Sequence, residues 1–247
     1  MADLLLFFVA GFVGGAVNVA AGGAKLFVFP LLLAAGLPPL AANATGTIAL
    51  WPAQLPGVLI FRGSLGSAPA SLVLDALVAM VGGTIGALAL IFLGEGTFLV
   101  LVPFLLILAV SAILLGDLIT KWSEKLNLAG ERRWLERVFY FGCGLYAGYF
   151  GAGLGFMFLA SVLLVSGMGI HGANAKKNLL AVAANTAAVV PLSFSGLVVW
   201  PAAITVLLGG LIGGYAGAKV IGKIPERLMR TAIALLGSGL TIHFLIG

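Results

Sequence analysis

The sequence predicts an all-α polytopic membrane protein made of two inverted repeats, each opening on a glycine-broken hairpin of short helices and continuing in three spans. Four observations carry this. Hydrophobic residues fill 62% of the 247 positions and charged residues 9%, more apolar surface than a soluble fold of this size can hide. The 36 glycines are scattered through the apolar runs rather than gathered in linkers, as close helix packing or broken helices require. The runs are continuous rather than alternating, which excludes an outer-membrane barrel. The fourth observation is a repeat: a shift of 131 positions aligns Gly11 to Leu50 with Gly142 to Ala181 without a gap, with 11 identical pairs among 40. Chance in so biased a composition gives roughly four.

The informative matches are Ala21-Gly22 with Ala152-Gly153, Gly36 with Gly167, and the triplets Ala42-Asn43-Ala44 and Ala173-Asn174-Ala175. At the same offset Gly82, Gly83, Gly86 and Ala87 meet Gly213, Gly214, Gly217 and Ala218, and Glu95 meets Glu226. The expected units are a first transmembrane repeat over 1–119, a cytoplasmic linker over 120–137 and a second repeat over 138–247. Each repeat begins with an apolar stretch broken at glycines, roughly 3–36 and 138–167. In the first, the piece from Lys25 to Ala35 is too short for a crossing of about 20 residues, which predicts a half-helix or part of a re-entrant or broken hairpin. An Asn-bearing helix and two plain spans follow in each repeat, and Pro30, Pro52, Pro56 and Pro191 are candidate kinks.

The net charge of +5 comes mostly from two loops, with Lys121, Lys125, Arg132, Arg133 and Arg137 in one and Lys219, Lys223, Arg227 and Arg230 in the other. Without interleaved aromatics or a basic face, these argue against nucleic acid and for positive-inside topology, with Arg62 on the same cytoplasmic side. The turns at corresponding places, Ser193 to Gly196 and Gly94 to Gly96, carry no basic residue. Opposite charge asymmetry implies inverted repeats, an odd number of crossings in each and both termini periplasmic. The start, MADLLLFF, has no basic n-region or cleavage site, so the first segment is expected to stay in the bilayer. The single cysteine, Cys143, excludes an internal disulfide framework.

Inverted repeats with broken helices in matching places point to a transporter whose site lies where the breaks meet. Asn43, Thr47 and Gln54 are spaced to share one helix face, and Asn174, Asn178 and Asn185 occupy the corresponding places, with Lys177 beside Asn174. Two such stripes converging on a pseudo-two-fold axis would offer amide donors and positive charge; interhelical hydrogen bonding is the structural alternative. Lys25 follows the break at Gly22-Gly23, where a half-helix N-terminus already favours an anion. A Lys in hydrocarbon costs about 2.5–3.5 kcal/mol, so it needs a reason to stay. Snorkelling to an interface is the expectation for Lys176, less so for Lys177, and stays open for Lys25. The candidate substrate-binding set is Asn18, Gly22, Gly23, Lys25, Asn43, Thr47, Gln54, Gly151, Gly153, Asn174, Lys177, Asn178 and Asn185.

Of eight carboxylates, only Asp75 falls inside a span, which equips the chain poorly for proton or sodium coupling. An anion exporter does not need it, because an inside-negative potential drives a monoanion outward by about 2.3 kcal/mol per 100 mV. His171 reads as a capping or interface residue, His171 and His243 form no metal motif, and Cys143 lacks a base. Gly151 to Phe156, GAGLGF, interrupts a membrane segment instead of following a soluble strand and is no nucleotide loop. No enzyme, cofactor or metal is therefore expected; the partners are a small anion and the lipid bilayer, and a homodimer is left open.

The stretches GFVGGAVNVAAGGAKLFVFPLLLAAGLPP, AANATGTIAL, GYFGAGLGFMFLASVLLVSG and HGANAKKNLLAVAAN resemble the sulfite exporter TauE/SafE family of membrane permeases over nearly the whole chain. The resemblance implies transport, commonly export, of sulfur-containing anions such as sulfite or organosulfonates across the bacterial inner membrane. The chain departs from the family's fuller glycine run at Ala21-Gly22-Gly23-Ala24-Lys25 and from its Thr-Ser pair at Thr45-Gly46, differences that bear on the substrate rather than the architecture. A passive anion channel and a membrane assembly or receptor subunit are the alternative readings.

Overall fold

A computed structural model of the chain describes residues 2–21, 23–56, 58, 70–116, 118, 133–166, 168–220 and 226–246, and their side chains except at 2, 19–21, 218–220, 226–230, 233 and 246. Gly22, the turn of Arg62 and the loop cations Lys121, Lys125, Arg132 and Lys223 lie outside the described residues. The described residues are helical apart from short turns, with no strand among them. An apolar chain in hydrocarbon must satisfy its own backbone, and a helix does so within one segment.

The helices are α1 (Ala2–Ala21), α2 (Lys25–Ala34), α3 (Pro39–Leu50), α4 (Ala70–Leu114), α5 (Arg133–Tyr149), α6 (Leu154–Ser166), α7 (Ile170–Phe194), α8 (Trp200–Val220) and α9 (Glu226–Ile246). The 45-residue α4 is two helices in one, because Gly94 takes φ 72° and ψ −177° and turns the chain between limbs 70–93 and 95–114. With α4 counted as two limbs, the order is a short broken pair, an Asn-bearing helix and two further helices, twice over. Among the described residues, three helices are long and apolar enough to cross a bilayer, Ala70–Leu114, Ile170–Phe194 and Trp200–Gly217. Pro30 and Pro191 lie within α2 and α7, as does Pro103 within α4. Pro52 opens a one-turn 3-10 helix, Pro52–Gln54, directly after α3.

Close packing rests on glycine. α1 runs parallel to α8, where a Cβ on Gly11 would strike the Val206 carbonyl, on Gly15 the Gly210 carbonyl and on Gly213 the Phe12 carbonyl. α5 runs parallel to the first limb of α4 in the same manner, Gly144 against Ala79, Gly148 against Gly83, Gly82 against Phe141 and Gly86 against Leu145. Lipid tails are as apolar as leucine, so helices in a bilayer associate through such backbone-to-backbone contact. α1 is thus paired with a later helix and α5 with an earlier one, each from the other part of the chain. α3 touches α2, α4, α7 and α8, and α7 touches α3 to α6, so the two Asn-bearing helices sit where the bundle converges. The outer faces carry exposed Phe92, Phe104, Leu208 and Leu235, and Trp134 and Trp200 stand exposed near the starts of α5 and α8, as interfacial aromatics do.

Candidate functional site

The first glycine break delivers a buried cation. α2 begins at Lys25 with no side-chain cap; the first-turn amides of Leu26, Phe27 and Val28 bond the carbonyls of Gly23 and Ala24, and Lys25 stands at the positive end of the helix dipole. Lys25 is 6% exposed; its stem lies along Gly46 of α3, where a Cβ would come 3.9 Å from Lys25 Cε. Its Nζ donates to Thr47 Oγ1 at 2.5 Å, and Thr47 in turn donates to the Asn43 carbonyl at 3.0 Å. The Phe150 ring centroid is 5.8 Å from Nζ. Both ion pairs among the described residues belong to Lys176, which leaves Lys25 without a carboxylate partner among them.

The second break closes on the same group. Gly151 and Gly153 take φ 74° and 68°, conformations that side chains disfavour, and let the chain turn between α5 and α6. Tyr146 clamps that turn by donating to the Ala152 carbonyl at 2.5 Å. At its start, the Tyr149 carbonyl accepts from Asn43 Nδ2 at 2.8 Å. Phe150 packs edge-on against Phe29, with centroids 5.6 Å apart, and Phe29 against Phe98, which also contacts Tyr149. Lys25, Asn43 and Thr47 from the first break and Tyr149 and Phe150 from the second therefore form one cluster with an aromatic wall.

The remaining candidates fall in separate places. Gln54 does not continue the Asn43–Thr47 face, because α3 stops at Leu50 and Pro52 forces a new turn. Its Oε1 accepts from Asn185 Nδ2 at 2.9 Å, and beside that bond Trp51 Nε1 donates to Thr186 Oγ1 at 2.9 Å. Asn174 and Lys177 engage each other, Nζ to Oδ1 at 3.1 Å, while Asn174 Nδ2 returns to the Ile170 carbonyl at 3.0 Å. Asn178 and Asn18 are half-buried, the latter near the end of α1, and Gly23 supplies the carbonyl that Leu26 N–H bonds at 2.9 Å. Tyr149 and Phe150, absent from the sequence-derived set, act through a backbone carbonyl and a ring face. Their one sequence signal is their place directly before Gly151.

Lys176 does not snorkel. It is 6% exposed, its Nζ lies 2.8 Å from Asp75 Oδ2 and 3.4 Å from Glu136 Oε2, and it stands 4.8 Å from the Tyr140 ring centroid. Glu136 reaches this cluster because α5 starts at Arg133, inside the segment the sequence assigns to the linker. Asp75, Glu136 and Lys176 so tie α4, α5 and α7 together. His171 is exposed at the start of α7.

Glycine-broken helices that meet around a cation buried without a carboxylate partner among the described residues, in an all-α membrane bundle, are the arrangement of a membrane transporter. The chain belongs to the Sulfite exporter TauE/SafE family, whose model matches residues 7–244. It is similar to a probable membrane transporter protein of Haemophilus influenzae, 25% identical over 97% of this chain and 93% of the relative. A probable membrane transporter protein, ORF9, of Sinorhizobium sp is 26% identical over 98% of this chain and 92% of its own length. The probable membrane transporter protein YfcA of Escherichia coli K12 is 24% identical over 98% and 88%. No solved structure matches.

Proposed function

We propose that the protein exports a small sulfur-containing anion, such as sulfite or an organosulfonate, across the bacterial inner membrane by alternating access between two inverted repeats with periplasmic termini. The observation that carries this reading is Lys25, a cation buried without a carboxylate partner among the described residues and aimed at the meeting of the two breaks. A bound anion would supply the missing negative charge. Asn43 and Thr47 order the ammonium, Phe29 and Phe150 exclude water, and the amides at the start of α2 add their dipole.

The packing of each opening helix on the fourth helix of the other half supports the two-repeat plan. So does an asymmetry between the halves. Asn43 reaches the Tyr149 carbonyl, but one offset away Asn174 does not reach Asn18, the residue corresponding to Tyr149; it bonds Ile170 instead. In the opposite state of the cycle the two contacts exchange: Asn43 releases Tyr149 and Asn174 takes the Asn18 carbonyl. Outward movement of a monoanion then draws on the membrane potential.

Flux of labelled sulfite and methanesulfonate into proteoliposomes tests the reading. Saturable flux of at least one, driven by an imposed potential, is the expected result. Flux that never saturates would replace the transporter with a channel, and absence of flux with either anion would refute the proposal.

A further inference from the structure

The cluster around Lys25 contains a buried acceptor that no described residue satisfies. Asn43 is fully buried, and its Oδ1 has no hydrogen-bond partner among the described residues. The amide cannot be turned to cure this, because its nitrogen already serves the Tyr149 carbonyl, a group that only accepts. Neither neighbour serves it. Thr47 has spent its one hydroxyl proton on the Asn43 backbone carbonyl, and Lys25 Nζ bonds Thr47 and makes no bond to Oδ1. Buried polar atoms are almost always paired, so an orphan beside a candidate ligand site is a place where a ligand group belongs.

The sign of that group follows. Lys25 has three protons, one directed at Thr47 and two left for an anion. Asn43 and Thr47 leave α3 one turn apart on the same face, with Cβ atoms about 5–6 Å apart, so the acceptor and the residue that anchors the ammonium are neighbours on one side of the helix. An oxyanion at Lys25 has only lone pairs to show Oδ1, which repels them. The acceptor is silent toward charge and specific for a donor. The Tyr149 hydroxyl, also buried without a partner among the described residues, can act in either sense and does not alter this choice.

We propose that Asn43 determines specificity by accepting a hydrogen bond from the substrate, so that the site takes a singly charged anion bearing an O–H or N–H group a few bonds from its charged oxygens. This rests on the reading of Lys25 as the anion's partner. Anions of equal size and charge that lack a donor leave Oδ1 unpaired in the complex and bind more weakly.

Calorimetric titration of the purified full-length protein in nanodiscs with 2-hydroxyethanesulfonate and 1-propanesulfonate tests this, since the two probes match in charge and size and differ by O–H for CH3. The wild type is expected to bind the hydroxylated probe at least about tenfold more tightly. Asn43→Ala should bring the two affinities together, while Gly142→Ala, where a Cβ meets nothing within 4 Å, should leave the ratio unchanged. Lys25→Met should weaken both probes equally. Equal binding of the two by the wild type overturns the proposal and leaves the anion reading standing; binding of neither overturns both. Should Asn43→Ala fail to fold, the wild-type ratio decides alone.

Discussion

Gln54 and Asn185 are joined by a 2.9 Å side-chain hydrogen bond and stand 131 residues apart, the same offset that aligns the two halves of the sequence. Residues equivalent under a two-fold rotation meet each other only at the axis. The bond therefore marks where such an axis would pass, between the end of α3 and the middle of α7. Asn185 is buried, so removing one partner leaves an amide short of its bond. Gln54→Ala and Asn185→Ala are each expected to cost about 1–3 kcal/mol, and the double variant distinctly less than the sum. Thermal unfolding of the four proteins in one detergent measures the coupling, and strict additivity would show that the contact carries no energy.

The close helix pairs make an opposite pair of predictions on one helix. A side chain at Gly144 meets the Ala79 backbone, which has no flexible end to move aside, whereas at Gly142 a Cβ meets nothing within 4 Å. Gly144→Val should cost more than about 2 kcal/mol and strip α5 from α4. Gly142→Ala should be neutral, or stabilise by up to about 1 kcal/mol through helix propensity. Yield and monodispersity on size-exclusion chromatography separate the two outcomes.

The cluster of Lys176 with Asp75 and Glu136 predicts a large, one-sided effect. Lys176→Met leaves two carboxylates together in a site where Asp75 is 4% exposed, and the expected loss is about 3–5 kcal/mol. Combining Lys176→Met with Asp75→Leu and Glu136→Gln removes the uncompensated charge and should recover most of it. A triple variant as unstable as the single would mean that packing, not charge, dominates at this junction.

How much of this was legible in the sequence depended on how local the signal was. The half-helix at Lys25 to Ala34 was, because glycines before it and Gly36 after it punctuate an unbroken apolar run within a few residues. The Gly94 turn was visible through the GEG triplet. Lys176 was misread because its counter-charges come from α4 and from the start of α5, and no spacing rule on its own helix reports them. Asn174 and Lys177 looked like halves of the central site; their separation of three residues equally suits the local pair they form. Tyr149 escaped because Asn43 binds its backbone carbonyl, a group every residue has.

Lys25 should trade stability for transport. Its ammonium is buried against Thr47 and an aromatic ring, with no carboxylate among the described residues to offset the loss of hydration. Lys25→Met keeps most of the apolar stem along Gly46 and removes the charge. Measured in the absence of any anion, the variant should be as stable as the wild type or more so, by up to about 3 kcal/mol. Transport should fall at least about tenfold, since the group that attracts the anion is gone. Added anion should raise the melting temperature of the wild type and leave that of the variant unmoved, because a ligand stabilises only the state that binds it. A variant that unfolds in the absence of anion would mean that the ammonium holds the breaks together, and a variant that still transports would place the anion elsewhere.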